Sequence, residues 1–254
     1  MKKHKVFWFY IFTFICTIII GGLCSALVDP SDLIQNAISL AFMQMSPSLG
    51  LLLICVFSKD FEPFKELKFK FNVSRHFIWV FISIIIPVVI ICGSAFILSV
   101  LGKPYISGGY NTIPLIIVII ASIIGCIGEE IGWRGFMLPS FHKKHSLLVS
   151  AIFTGLLWGA WHFGKIQMSG IIGYLLFIFM IMEFTILMSW LFYKTNKSLI
   201  PMILFHLGIN ICSIIMLNER ESILFYIIGC IIGGILCFAF ILVNKSKFLD
   251  KSSV

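Results

Sequence analysis

Residues 113–138 read IPLIIVIIASIIGCIGEEIGWRGFML. From Ile113 to Gly128 no side chain carries a formal charge, and the whole run exceeds the ~20 residues that an α-helix needs to span a hydrocarbon core. Two carboxylates and a guanidinium, Glu129, Glu130 and Arg134, then fall near its end. Ionisable groups inside a membrane segment are costly and mark function by default. This one stretch therefore sets both the class of fold and the place to look for chemistry.

Comparable apolar runs occur at about 6–27, 33–57, 77–101, 147–164, 170–193, 199–217 and 222–243. With 113–138 they predict an all-α, polytopic transmembrane bundle of about eight helices. The second run is interrupted by Gln35, Asn36, Gln44 and Pro47, which neighbouring helices can cover. Composition agrees: 59% of the 254 residues are hydrophobic and only 12% charged, with a mean hydropathy of +1.06. A soluble domain carries roughly twice that charge. The basic N-terminal Met1–Lys5 precedes an apolar run longer than a cleavable signal core, so 6–27 reads as a retained first span.

The net charge of +8 could suggest nucleic acid, but no water-exposed basic face exists to carry such binding. The excess instead follows topology. With the N-terminus cytoplasmic, fifteen of the 19 Lys and Arg fall in inside segments. Only Lys103, Lys165 and Arg220 fall outside, and Arg134 lies within a span. The positive-inside rule thus places both termini in the cytoplasm and makes the lipid bilayer, not nucleic acid, the partner. The loop Lys59–Arg75, with alternating Phe and Lys, reads as an interfacial segment. Eight cysteines lie in apolar stretches without metal-binding or redox spacing, so they read as buried thiols. With no linker or repeat, residues 1–254 read as a single integral membrane domain.

The charged and imidazole side chains inside the spans are few: Glu129, Glu130, Arg134, His162, Glu183 and His206, with the amide of Asn210 one turn beyond His206. Glu130 and Arg134 are four apart with the acid first, the favourable order for a helical ion pair. Glu129 points about 100° away from Glu130 and has no partner on its own helix. One carboxylate thus reads as structural and its neighbour as available for chemistry. Trp158 and His162 share a helix face at i, i+4, as do His206 and Asn210. A carboxylate and an imidazole can activate water. An imidazole and an amide side by side can hold an oxyanion or simply clamp two helices. Taken together they are the equipment of peptide hydrolysis without a covalent intermediate. Ser122, Ser169, Ser189 and Ser213 have no surrounding motif, and the four Asp all lie in loops, so serine and aspartyl mechanisms are disfavoured. Glu183 reads as an interhelical or snorkelling residue.

The ordered set E-E-x-x-x-R (Glu129, Glu130, Arg134), aromatic-x-x-x-H (Trp158, His162) and H-x-x-x-N (His206, Asn210) resembles the CAAX-protease and bacteriocin-processing (Abi) family of intramembrane endopeptidases. The approach Tyr193–Pro201 is also similar, and Trp158 stands where the family most often has Phe. The resemblance covers about 113–217, which it implies is a protease core. It implies Glu129 as base with His162, His206 and Asn210 at the oxyanion, and Glu130 with Arg134 as support. The implied substrate is a membrane-associated protein or peptide, lipidated in the CAAX case. Family members are commonly labelled metalloproteases, and two His plus a carboxylate could ligate one Zn, but a Glu–His water site needs no metal and none is preferred. Bacteriocin self-immunity or binding without cleavage is the alternative function. A proton-coupled transporter is disfavoured because the motifs are not duplicated. Counted along their helices, Glu129 falls near the cytoplasmic side and His162 nearer the outside. Their meeting requires tilted helices, or a fourth helix that continues past Arg134 with a fifth that begins deeper.

Overall fold

The computed structural model describes residues 4–29, 32–70, 73–103, 112–216 and 222–250. Lys2, Lys3, Arg220 and Lys251 of the orientation count, and Phe71 and Asn72 of the interfacial loop, lie outside the described residues. Among the described residues every regular element is helical. Six helices are long and apolar enough to cross a membrane. They are bare where lipid would lie: Ile18, Ile19, Ile235 and Phe238 all stand exposed. The chain is a multi-pass α-helical membrane protein.

Chain contacts divide it into two compact units. The first comprises Met1–Lys70 and Gly109–Met137. It holds α1 (Lys5–Leu27), α2 (Leu33–Gln44), α3 (Ser46–Ser58), the single turn α4 (Glu62–Lys65) and α6 (Thr112–Gly132). Helix α6 runs into a π turn at Trp133–Met137. Here α1 packs on α3, and α6 packs on α2 and α3. Asp32 caps α2 by accepting from the Ile34 and Gln35 amides. The expected second span is two helices in line, broken at Met45, with Pro47 in the first turn of α3, where a missing N–H costs nothing. Thr13 and Thr17 donate to the carbonyls of Phe9 and Thr13, satisfying their hydroxyls without water. Lys5 and Asp60 pair at 2.5 Å and tie the start of α1 to the end of α3. The loop after α3 has Phe61 and Phe69 exposed, alongside a Lys65–Glu62 ion pair in α4.

The second unit comprises Phe71–Gly108 and Leu138–Val254. It holds α5 (Val73–Val100), the short α7 (Leu138–His142), α8 (Leu147–Trp161), α9 (Lys165–Lys194), α10 (Ile200–Met216), α11 (Ile223–Val243) and α12 (Lys245–Leu249). Helices α8 and α9 form an antiparallel pair, α9 packs on α11, and α5 packs on α10 and α11. Gly155 and Gly159 make the α8–α9 approach possible: a Cβ on Gly159 would lie 2.9 Å from the Ile178 Cα. Gly170, at φ 69°, kinks α9 near its start, a conformation open to glycine without strain.

Two of the eight expected spans form shorter helices than read. Helix α8 has 15 residues and ends at Trp161, because His162 leaves helical geometry as its C-cap. Helix α10 has 17. The helical path that begins in α6 does not stop at Arg134; it passes through the π turn and continues to His142.

Candidate active site

The first unit holds Glu129, Glu130 and Arg134, all fully buried. The two acids occupy the last turn of α6. Arg134 Nη1 donates to Glu130 Oε1 at 2.9 Å. A buried ion pair is weak evidence for stability, but removing one partner leaves a stranded charge and is costly. The pair thus behaves as one neutral unit. Arg134 itself lies in the π turn, which adds a residue to the helical turn, a distortion frequent at functional sites. Phe9 of α1 braces that turn, with its ring 5.6 Å from Trp133 and 5.1 Å from Phe136.

Glu129 is held differently. Gln44, the last residue of α2, donates its Nε2 to Glu129 Oε1 at 2.8 Å. Ser48 of α3 donates to the Gly128 carbonyl at 2.6 Å. These close approaches depend on Gly125 and Gly128, where an added Cβ would meet Gln44 Oε1 at 2.0 Å and the Gln44 carbonyl oxygen at 2.8 Å. Sequence reasoning noted Gln44 only as an interruption of a span. Its partner is 85 residues away, and the sole available signal was an amide in an otherwise apolar run.

The second unit holds His162, His206 and Asn210. His162 caps α8 and turns its Nδ1 to the Trp158 carbonyl at 2.9 Å. A carbonyl only accepts, so Nδ1 carries the proton, and Nε2 of the neutral ring is the acceptor nitrogen. Trp161 and Phe177 meet the same imidazole edge-on at 4.8 and 5.2 Å. Tyr174 of α9 donates to the Ala160 carbonyl at 2.7 Å, satisfying one of the orphan acceptors at the helix end. His206 is buried on α10, and Asn210 lies half-buried one turn on. The Trp158 indole lies 5.9 Å from the His162 ring and 5.1 Å from the His206 ring. Two histidines 44 positions apart in sequence thus share one buried aromatic neighbour.

Other candidates are placed as well. Ser169 and Ser189 donate to carbonyls of their own helix, Lys165 and Thr185, so both hydroxyls are engaged in local bonds. Glu183 is buried between α9 and α11, its carboxyl seated against Gly233 and Gly234. That is an interhelical position. All eight cysteines are free thiols. Among the described residues no three His, Cys, Asp or Glu side chains are grouped to hold a metal ion.

Comparisons with known proteins bear on residues that carry all three motifs. Residues 111–212 match the family described as type II CAAX prenyl endopeptidase Rce1-like. A relative from Methanococcus maripaludis, CAAX prenyl protease 2, is 28% identical over 156 residues, covering 57% of this chain and 56% of the relative. The match thus spans a little over half the length of that curated relative. Over residues 111–212 the chain is thus similar to the CAAX prenyl endopeptidases.

Proposed function

We propose that this protein is an intramembrane endopeptidase that hydrolyses a peptide bond of a membrane-associated protein or peptide, using residues 113–217 as its protease core. The observation that carries this reading is the Trp158 indole flanked by His162 and His206 in a buried setting. One nearby ring nitrogen is fixed as an acceptor, and the other histidine stands with Asn210 on the same helix face. The likeness of residues 111–212 to CAAX prenyl endopeptidases supports the reaction class, and the name of the Methanococcus relative, CAAX prenyl protease 2, supports the substrate class.

In the proposed reaction Glu129 takes a proton from a water that also hydrogen-bonds to His162. The oxygen of that water adds to the scissile carbonyl carbon, and the carbonyl oxygen becomes an oxyanion. His206 and Asn210 donate N–H bonds to it, a contribution that is large where water is excluded. The proton held by Glu129 then passes to the amide nitrogen as the C–N bond breaks. Glu130 and Arg134 do not exchange protons; their mutual neutralisation keeps the last turn of α6 folded around Glu129. Every step uses side chains of this chain, and none is routed through a metal.

The test is cleavage of a farnesylated, CAAX-terminated fluorogenic peptide by the purified chain in lipid nanodiscs, wild type against Glu129→Gln. General-base catalysis contributes typically about 10²–10⁴-fold, and a loss of that order is expected. Cleavage by Glu129→Gln at the wild-type rate would refute the mechanism. Cleavage of a non-prenylated peptide at equal efficiency would remove the lipid from the substrate class while keeping the peptidase.

A further inference from the structure

Gln44 belongs to none of the three motifs and lies well before residues 111–212. Its position is nevertheless built with care. Helix α2 ends at Gln44, and α3 begins in line with it at Ser46, with Pro47 in its first turn. On α6, Gly125 and Gly128 are one turn apart and present no side chain toward this junction. A Cβ at Gly125 would come within 2.0 Å of Gln44 Oε1 and 2.7 Å of its Cδ. One at Gly128 would meet the Met45 Sδ at 2.6 Å. The amide is therefore seated in a notch with its Nε2 on Glu129 Oε1 at 2.8 Å. An ionised carboxylate accepts only, so the NH2 end of the amide must face it.

The two adjacent acids accept hydrogen bonds from different donors. Glu130 faces a guanidinium, which cancels its charge. Glu129, which also feels the charge of Arg134, accepts from a neutral amide that can orient the carboxylate. A base must keep its negative charge and its aim, and a donor without charge provides the second while sparing the first. We infer that Gln44 is a positioning residue for Glu129: by seating its amide in the Gly125–Gly128 notch and holding Oε1, it fixes the orientation in which the carboxylate meets water. This rests on the proposed role of Glu129 as base.

The test uses the full chain in nanodiscs with two variants, Gln44→Ala and Gln44→Met. Methionine keeps the length and much of the volume of the side chain, so it fills the notch if alanine fails to fold. With the farnesylated peptide, kcat should fall about tenfold or more, since small misplacements of reacting groups are costly, while KM stays within about twofold. Neither variant should slow the Glu129→Gln protein further. An unchanged kcat, or a raised KM with kcat intact, would overturn the inference. A second readout needs no turnover: the infrared carboxylate band of Glu129, isolated as the difference between wild type and Glu129→Gln, should shift in Gln44→Met. A band that stays in place overturns the contact. If the wild-type chain fails to cleave, the functional reading falls while the infrared result still decides whether Gln44 holds Glu129.

Discussion

Arg134 Nη1 and Glu130 Oε1 meet at 2.9 Å, one helical turn apart, with neither side chain open to solvent. Breaking the pair from one side should cost more than removing it whole. Arg134→Met is expected to destabilise the protein by about 3–5 kcal/mol, because it leaves Glu130 charged and buried. The double variant Glu130→Gln/Arg134→Met should recover part of that loss. Thermal unfolding in detergent, followed by thiol-reactive dye at the buried cysteines, measures both. Equal melting temperatures for single and double variants would contradict the account.

His206 and Asn210 share a face of α10, with His206 against Trp158. In the proposed role of oxyanion donors they would act on the transition state more than on the bound substrate. Asn210→Ala should therefore lower kcat by roughly 10²–10³-fold, the range for losing one such donor, with KM little changed. His206→Ala should do at least as much. Steady-state kinetics with the farnesylated peptide separates the two constants.

The proposed Glu–His water mechanism, routed through no metal, predicts indifference to chelators. Dialysis against EDTA or 1,10-phenanthroline should leave the cleavage rate unchanged, and added zinc should not raise it. A loss of activity that zinc restores would show a metal requirement and return Glu129 and the histidines to the role of ligands.

Gly159 lies against the Ile178 backbone, and the helix that carries it ends three residues later at His162. Gly159→Ala should push α8 off α9, at about 1–3 kcal/mol for overpacking a tight contact. Activity should fall with it, because Tyr174 and Phe177 of α9 hold the His162 end in place. Tyr174→Phe is the milder control. It removes the bond to Ala160 and should cost about 1 kcal/mol.

The spans were legible because bilayer helices need only length and apolar content, and runs such as 6–27 and 222–243 have both. The motif residues stood out for the same reason in reverse: a buried Glu, His or Arg is rare enough to be noticed. What the sequence concealed depends on contacts or hydrogen-bond register. Helix α8 stops at Trp161, not 164, because His162 folds its own ring back onto the Trp158 carbonyl, a choice hydropathy does not record. Gln44 is one polar residue among several in its run, and only the notch at Gly125 gives it meaning. Gly170 was one glycine among 20, with nothing to mark it as the kink. The π turn left no trace either, since Trp133–Met137 reads as ordinary helix.

That turn has a consequence for how this chain should compare with its kin. A π turn holds one residue more than an α turn, so it behaves as a one-residue insertion absorbed without a loop. Deleting Gly135 would restore uniform α-winding over this turn and leave the helix beyond it in register. Relatives with a plain α-helix here should align with a single-position gap between the residues matching Trp133 and Met137. A lineage that lost the bulge would have to change the packing around Phe9 at the same time.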